Sequence, residues 1–278
     1  MPHALHFTKM HALGNDFMVI NACSTPLDIQ ALPIKALANR HTGVGFDQLL
    51  IIQPSDIADY FCEIYNADGS RAEQCGNGLR CVARYLHERG LLTQRFFHLE
   101  TLAGVFPVTL TDYHHICVTL NAPIQQETLT TLTITPEAGS PLTLPVSILA
   151  VGNPHVIVNV ANLDQVPVDR WGHLLSIHPA FPHGTNVGFM EVVSPTHIRL
   201  RTYERGAGET CACGSNACAA VVAGIANGLL QADVTVEYQY GQLFVSWEGN
   251  PHPVKLTGPA AKVFDGLIES STACKEPG

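Results

Sequence analysis

The chain carries its apolar residues in two rhythms. A two-residue alternation marks strands such as 61–65 and 197–203, and each gives way to a glycine-punctuated turn and then a helical stretch. These helices are predicted to run from about 76 to 88 and from about 214 to 226, each stopping at a glycine, Gly90 or Gly228, that suits a left-handed C-terminal cap. Ala219, Ala220, Val221, Val222 and Ala223 make the second helix apolar nearly all round, as expected of a helix enclosed by the strands of its own half. Shorter helices are predicted near 28–38 and 168–176, without an obvious reactive group. The fold class that follows is α+β, or mixed α/β.

The two helical segments belong to an internal duplication. Gly14-Asn15, followed by Val19-Ile20-Asn21, returns 138 residues later as Gly152-Asn153, followed by Ile157-Val158-Asn159. Tyr65 and Tyr203, Cys75-Gly76 and Cys213-Gly214, and Gly90-Leu91-Leu92 and Gly228-Leu229-Leu230 share that spacing, which is close to half of the 278 residues. Val44-Gly45-Phe46 matches Val187-Gly188-Phe189 at an offset of 143, read as a five-residue insertion that is later removed. Two domains of similar fold are implied.

Composition narrows the function. A formal net charge of -9 with only 15 Lys and Arg offers no electrostatic footprint for nucleic acid or an anionic membrane, so a small molecule is the expected partner. No apolar run approaches the roughly 18 to 20 residues that span a bilayer, and the start of the chain lacks a secretory pattern, so the cytoplasm is the expected location. Nine cysteines without regular spacing read as reduced thiols. The 14 histidines are scattered, and the adjacent pair His114 and His115 falls in a strand-like stretch, so no metal site is read from them.

The duplication singles out two of the cysteines, because a residue used symmetrically must occur in both halves. Cys75 and Cys213 pass this test. Cys62 corresponds to Leu200, Cys81 to Ala219 and Cys23 to Ala161, while Cys211 and Cys218 fall on Glu73 and Arg80; these five read as small buried or semi-buried residues. A metal site fits poorly: the five residues from Cys213 to Cys218 turn a helix roughly 140° beyond a whole turn, and the six from Cys75 to Cys81 roughly 240°, so the side chains diverge. The C-x2-C spacing of zinc sites and the C-x-x-C of redox dithiols are both missing.

Both thiols sit at a strand-to-helix turn, before Gly76-Asn77-Gly78 and Gly214-Ser215-Asn216. At a helix start, unpaired N–H groups and the helix dipole lower a thiol's pKa and can seat a carboxylate. Two such ends facing each other would place a sulfur on each side of the α-carbon next to that carboxylate. Inversion of a stereocentre asks for this, with a base on one face and an acid on the other. None of the five lysines, Lys9, Lys35, Lys255, Lys262 and Lys275, lies in a glycine-rich or matched segment suited to a pyridoxal Schiff base, and no Rossmann or P-loop glycine pattern occurs, so no cofactor is expected.

The motifs KMHALGNDF from Lys9, GVGFDQLL from Gly43, YNADGSRAEQCGNGLRC from Tyr65, GNPH from Gly152, GTNVGF from Gly184 and YERGAGETCACGSNACA from Tyr203 together resemble the diaminopimelate epimerases, from Lys9 to Gly266. The resemblance implies cofactor-independent interconversion of LL- and meso-2,6-diaminopimelate, a precursor of lysine and peptidoglycan, by a cytoplasmic homodimer. It implies Cys75 and Cys213 as the two-base pair, with His155 and Glu204 assisting the thiols. Gly76, Asn77, Gly214 and Ser215 would bind the carboxylate at the reacting centre, and Asn15, Gln48, Asn66, Asn153, Asn186, Glu204 and Arg205 would complete the substrate site. Arg205, with its planar fork, is the natural clamp for the distal carboxylate. The implied fold is two pseudo-symmetric domains, each a strand-rich, barrel-like sheet wrapped round a central helix, with boundaries at 1–118 plus 263–278 and at 119–262. Ala12, Leu79 and Asn216 depart from the family's usual residues beside the site, and Phe264 replaces a tyrosine common near its dimer contact. A proline-type racemase, which also uses two cysteines, is the alternative; it has no distal amino-acid end to hold.

Overall fold

The computed structural model describes residues 4–24, 27–136 and 139–269; Lys275 and the last nine residues assigned to the first domain lie outside the described residues. The chain forms two compact units, 1–118 with 259–278, and 119–258.

The first unit opens with β1 (Leu5–Ala12) and β2 (Asn15–Asn21), an antiparallel pair closed by a turn in which Leu13 and Gly14 both take positive φ. A short helix, α1 (Ile34–Ala38), leads to β3 (Gln48–Gln53), which runs parallel to β2. Antiparallel β4 (Tyr60–Asn66) and the short β5 (Arg71–Ala72) follow, then helix α2 (Gly76–Glu88). β6 (Phe96–Thr101), β7 (Gly104–Leu110) and β8 (Ile116–Leu120) complete the first passage of the chain. The apolar stripe of α2, with Leu79, Val82, Ala83 and Leu86 buried, packs against β1, β2, β3 and β7.

The second unit repeats the plan. The antiparallel strands β9 (Ile124–Ile134), β10 (Leu142–Val151) and β11 (Asn153–Asn159) precede α3 (Val168–Ser176), and β12 (Asn186–Ser194) runs parallel to β11. Then come β13 (His197–Glu204), β14 (Gly208–Thr210), α4 (Gly214–Ala226) and the strands β15 (Asp233–Tyr238), β16 (Gly241–Ser246) and β17 (Val254–Gly258). Helix α4 is buried along nearly its whole length among β10, β11, β12, β16 and β17, as its all-round apolar surface requires. Finally β18 (Ala261–Ile268) pairs with β1 in the way that β9 pairs with β10. The return of the chain thus supplies the first unit with the strand that the second unit obtains from its own beginning.

Strand register carries the duplication residue by residue. Phe17 lies opposite Gln48, and His155 opposite Asn186. Leu49 lies opposite Tyr65, and Val187 opposite Tyr203. Every member of the first pair is 138 residues before its counterpart. This corrects the offset of 143 read from Val44-Gly45-Phe46: those residues precede β3, whereas Val187-Gly188-Phe189 lies inside β12, and the true counterpart of Val187 is Leu49. The match of three residues was coincidental, and no five-residue insertion separates the repeats there. His114 and His115 also differ from expectation, lying in the turn before β8, where both backbone N–H groups donate to Asp112.

Both long helices begin and end alike. Cys75 and Cys213 are N-cap residues with extended backbone, at φ -150° and -127°. Gly90 and Gly228 take φ of 66° and 71°, and the N–H of the following leucine bonds back to Leu86 O at 2.9 Å and to Gly224 O at 2.8 Å, the Schellman arrangement. No helix among the described residues is long and apolar enough to cross a membrane.

Candidate active site

Each unit presents one cysteine at the first turn of its central helix. In the first, Cys75 Sγ accepts from Gly78 N at 3.4 Å and lies 4.0 Å from Asn15 Oδ1. The same Asn15 oxygen accepts from Asn77 Nδ2 at 3.1 Å, while Asn77 Oδ1 takes a bond of 2.9 Å from the fully buried Arg80. Arg80 also donates to Gly76 O and Pro259 O, each at 3.3 Å, so a single guanidinium braces the turn that holds Cys75, Gly76 and Asn77. On the other side Asn15 Nδ2 donates to Asp47 at 2.9 Å. Behind Asp47 an ion network runs through Arg40 and Asp16 to the buried Lys9. Burial alone would raise the Asp16 pKa, but Arg40 and Lys9 together hold it down at about 2.

Gln48 and Asn66 meet across β3 and β4, Gln48 Nε2 donating to Asn66 Oδ1 at 2.9 Å. Gln48 Oε1 is buried and has no hydrogen-bond partner among the described residues.

The second unit places Cys213 at the corresponding turn, 3.4 Å from Ser215 Oγ. Its thiol is pushed well above the ordinary range, first by burial and then by the neighbouring Glu204 carboxylate, which outweigh the opposing bonds from Ser215 and the Asn216 N–H. This reverses, for Cys213, the expectation that the helix start lowers the thiol's pKa. The helix groups do act in that direction, but desolvation in an enclosed position is larger. Glu204 is held by Thr210, whose hydroxyl donates to Oε1 at 2.5 Å. Arg205 follows Glu204, and its backbone N–H donates to the buried Asn186 at 3.0 Å. Its guanidinium is exposed, and Nη1 alone is engaged among the described residues, with His183 O at 2.8 Å.

His155 lies on β11, fully buried, with Nε2 2.8 Å from Asn153 Oδ1 and Nδ1 3.1 Å from Asn216 Nδ2. Burial drives its pKa down to about 3, so it is neutral at physiological pH. Tyr238 completes the arrangement, donating from its hydroxyl to Cys213 O at 2.9 Å.

The structure therefore gathers Asn15, Gln48, Asn66, Cys75, Gly76 and Asn77 in the first unit, and Asn153, His155, Asn186, Glu204, Arg205, Cys213, Gly214 and Ser215 in the second. Asp47, Arg80, Thr210 and Tyr238 escaped the sequence reading: Asp47 and Tyr238 act on neighbours distant in sequence, and Arg80 and Thr210 act on near ones through side-chain bonds that no motif spacing marks. Of the cysteines set aside, Cys62, Cys81 and Cys218 are buried, whereas Cys211 is exposed, not semi-buried as expected.

These features agree with what the chain resembles. The diaminopimelate epimerase family pattern matches residues 7–123 and again 147–263, one match for each half. A diaminopimelate epimerase of Azoarcus sp. (strain BH72) is 46% identical over 95% of this chain and 99% of its own length. That of Nitrosospira multiformis is 44% identical over 95% and 98%. Among solved structures, a hydroxyproline epimerase from Agrobacterium vitis superposes with a TM-score of 0.74 at 17% identity, over 96% of this chain and 92% of that one. A Bacillus anthracis phenazine biosynthesis protein of the PhzF family gives 0.73 at 18%, over 96% and 99%. At such identities the solved structures speak for the fold, two repeated strand-rich halves, and the close relatives speak for the family.

Proposed function

The chain belongs to the diaminopimelate epimerase family, and from that premise we propose that it interconverts LL- and meso-2,6-diaminopimelate, with Cys75 and Cys213 as the acid and base. The observation that carries the reading is the matched pair of N-cap thiols at helix starts whose N–H groups suit a carboxylate. One sulfur, as thiolate, takes the α-hydrogen as a proton, and the other, as thiol, gives its proton to the opposite face of the planar carbanion; reversing the reaction exchanges the roles. Cys213, held neutral by burial and by Glu204, suits the proton donor, and the adjacent Glu204 carboxylate can take that proton when Cys213 must act as base. Neutral His155 is the corresponding candidate to assist proton movement. The start of each helix, at Gly76-Asn77 and Gly214-Ser215, would carry the carboxylate next to the reacting carbon.

The remaining groups suit the second amino-acid end. Arg205 has guanidinium donors that are unengaged among the described residues and suit a carboxylate, and the family resemblance would add Asn66, Asn153, Asn186 and Glu204 as further polar groups for that end. Asn15 braces Asn77, and Gln48 contributes its orphan acceptor. Proline has no such end, which is why the racemase alternative ranks second. The chain would act in the cytoplasm, on the route to lysine and peptidoglycan, without a cofactor. The exposed side chains of β18, Val263, Phe264 and Leu267, with Phe264 and Leu267 on opposite faces, would contribute to the contact of a homodimer; Phe264 already rests edge-on against Phe7, with ring centroids 6.0 Å apart.

The deciding experiment incubates purified protein with LL-diaminopimelate in deuterated water. Formation of the meso isomer with α-deuterium incorporation is expected. Turnover of proline without turnover of diaminopimelate would overturn the reading.

A further inference from the structure

The two units are alike in backbone and register but unlike at four positions beneath the helix start. In the first unit these are Phe17, Leu50, Ile64 and Gly78, an apolar set. Their counterparts 138 residues on are His155, Gly188, Thr202 and Asn216, of which the three with side chains beyond a hydrogen are polar and fully buried. The exchange is also one of volume. In the first unit a large Leu50 faces Gly78, and in the second Gly188 leaves room for Asn216, whose Oδ1 occupies the space a methyl group on Gly188 would need.

Buried polar groups are retained at a cost unless every one is partnered, and here they are. Thr202 Oγ1 donates to Asn216 Oδ1 at 3.2 Å and meets the Tyr238 hydroxyl at 3.3 Å. Asn216 Nδ2 points at His155 Nδ1. An amide nitrogen carries only protons, so Nδ1 must be the acceptor and the single proton of the neutral ring must sit on Nε2. Nε2–H then donates to Asn153 Oδ1. With its oxygen so used, Asn153 has its NH2 group left to offer, and that group has no partner among the described residues. In the other tautomer the order would invert: Nε2 would accept from the Asn153 NH2, and Asn153 would show its oxygen instead.

We propose that Asn216 is a positioning residue, fixing His155 as the Nε2–H tautomer and so turning Asn153 to present N–H donors, selective for a carboxylate of the substrate over an ammonium group. The substrate part of this proposal rests on the epimerase reading; the tautomer part does not. The same place in the first unit holds Gly78, so the polar device belongs to the second unit alone.

Nitrogen-15 spectra of protein labelled in histidine test it directly, with His155 assigned by its absence in His155→Gln. The wild type should show a neutral ring protonated at Nε2 alone from about pH 5 to 8. Asn216→Leu, of similar size but without a donor, should lose the single tautomer. It should also raise KM for LL-diaminopimelate roughly tenfold or more, the scale of one hydrogen bond to a charged group, while kcat changes less. A wild-type ring protonated at Nδ1 would overturn the proposal whether or not the variant folds. So would an Asn216→Leu protein that keeps both the pure Nε2–H tautomer and the wild-type KM. Absence of epimerase activity in the wild type would overturn the functional reading and the substrate part with it, and leave the tautomer result standing.

Discussion

Tyr238 donates a 2.9 Å hydrogen bond to the backbone carbonyl of Cys213, tying the end of β15 to the residue that caps α4. The hydroxyl is fully enclosed, and the same carbonyl accepts the first helical bond, from Ala217 N at 3.0 Å. Tyr238→Phe keeps the ring and removes the tie. It should cost roughly 1 kcal/mol of stability and lower kcat more than it raises KM, because the thiol's position depends on its backbone. Denaturant titration and steady-state kinetics of the folded variant check both.

Replacing either N-cap thiol should be far more damaging. Cys75→Ala and Cys213→Ala should each reduce epimerisation by roughly a hundredfold to ten-thousandfold or more, the usual worth of a positioned acid or base. Cys81→Ala and Cys218→Ala, which remove buried sulfurs from the same two helices, should leave turnover near normal in protein that folds. Equal losses at all four positions would detach the chemistry from the helix starts.

Arg205→Lys should lower kcat/KM by about tenfold or more, since an ammonium cannot reproduce a planar fork that pairs both carboxylate oxygens. The guanidinium is exposed and makes a single bond among the described residues, so the melting temperature should barely move. Normal kinetics in this variant would place the distal carboxylate elsewhere.

The sequence alone disclosed the parts of this molecule that repeat. Both central helices run over the predicted residues because cap, apolar stripe and terminal glycine agreed at each. The thiols were visible because symmetry removed the other cysteines from contention. What stayed hidden was contact between residues far apart in sequence: Arg80 on Asn77 is local, but Asp47 on Asn15 and Tyr238 on Cys213 require the folded sheet. The raised pKa of Cys213 was hidden for a related reason, since a helix start is legible in a sequence and the degree of its enclosure is not. The Gly188 and Asn216 exchange could have been found, because aligning the halves at 138 sets them against Leu50 and Gly78; the false match at 143 concealed it.

His155 ties stability to pH. Its folded pKa of about 3 lies below the ordinary histidine value, first and wholly because of burial. Below about pH 6.5 the unfolded chain binds a proton that the folded chain refuses, so this contribution is complete above that pH and is lost as the pH falls toward 3. The loss is on the order of 5 kcal/mol over the window. Asp16 acts lower, its contribution present above about pH 4 and lost as the pH falls through about 2. Urea denaturation between pH 8 and pH 4 should therefore show a decline that His155→Gln flattens; an unchanged slope in that variant would assign the decline to other groups.

Gly188 and Asn216 share a space that Leu50 and Gly78 divide differently in the first unit. A methyl group added to Gly188 would overlap Asn216 Oδ1 and lie 2.8 Å from Ile157 Cδ1, in a site where neither neighbour can retreat to solvent. Overpacking of this kind costs roughly 1 to 3 kcal/mol, and Gly188→Ala should lose about that much. Gly78→Ala meets the tip of Leu50, 3.1 Å from Cδ2 and 3.3 Å from Cδ1, with Cys75 Cβ at an ordinary 3.5 Å; a shift of Leu50 by a few tenths of an ångström relieves it, so its cost should be smaller. If the space is truly shared, the two residues of the second unit must be coupled. Asn216→Gly removes the group that Gly188→Ala strikes, and the double variant should be more stable than the sum of the two single losses predicts, by roughly 1 kcal/mol or more. Chemical denaturation of the four proteins closes the cycle. Additive losses would mean that the strain of Gly188→Ala falls on Ile157 and the strand, and that Asn216 does not depend on the glycine beside it.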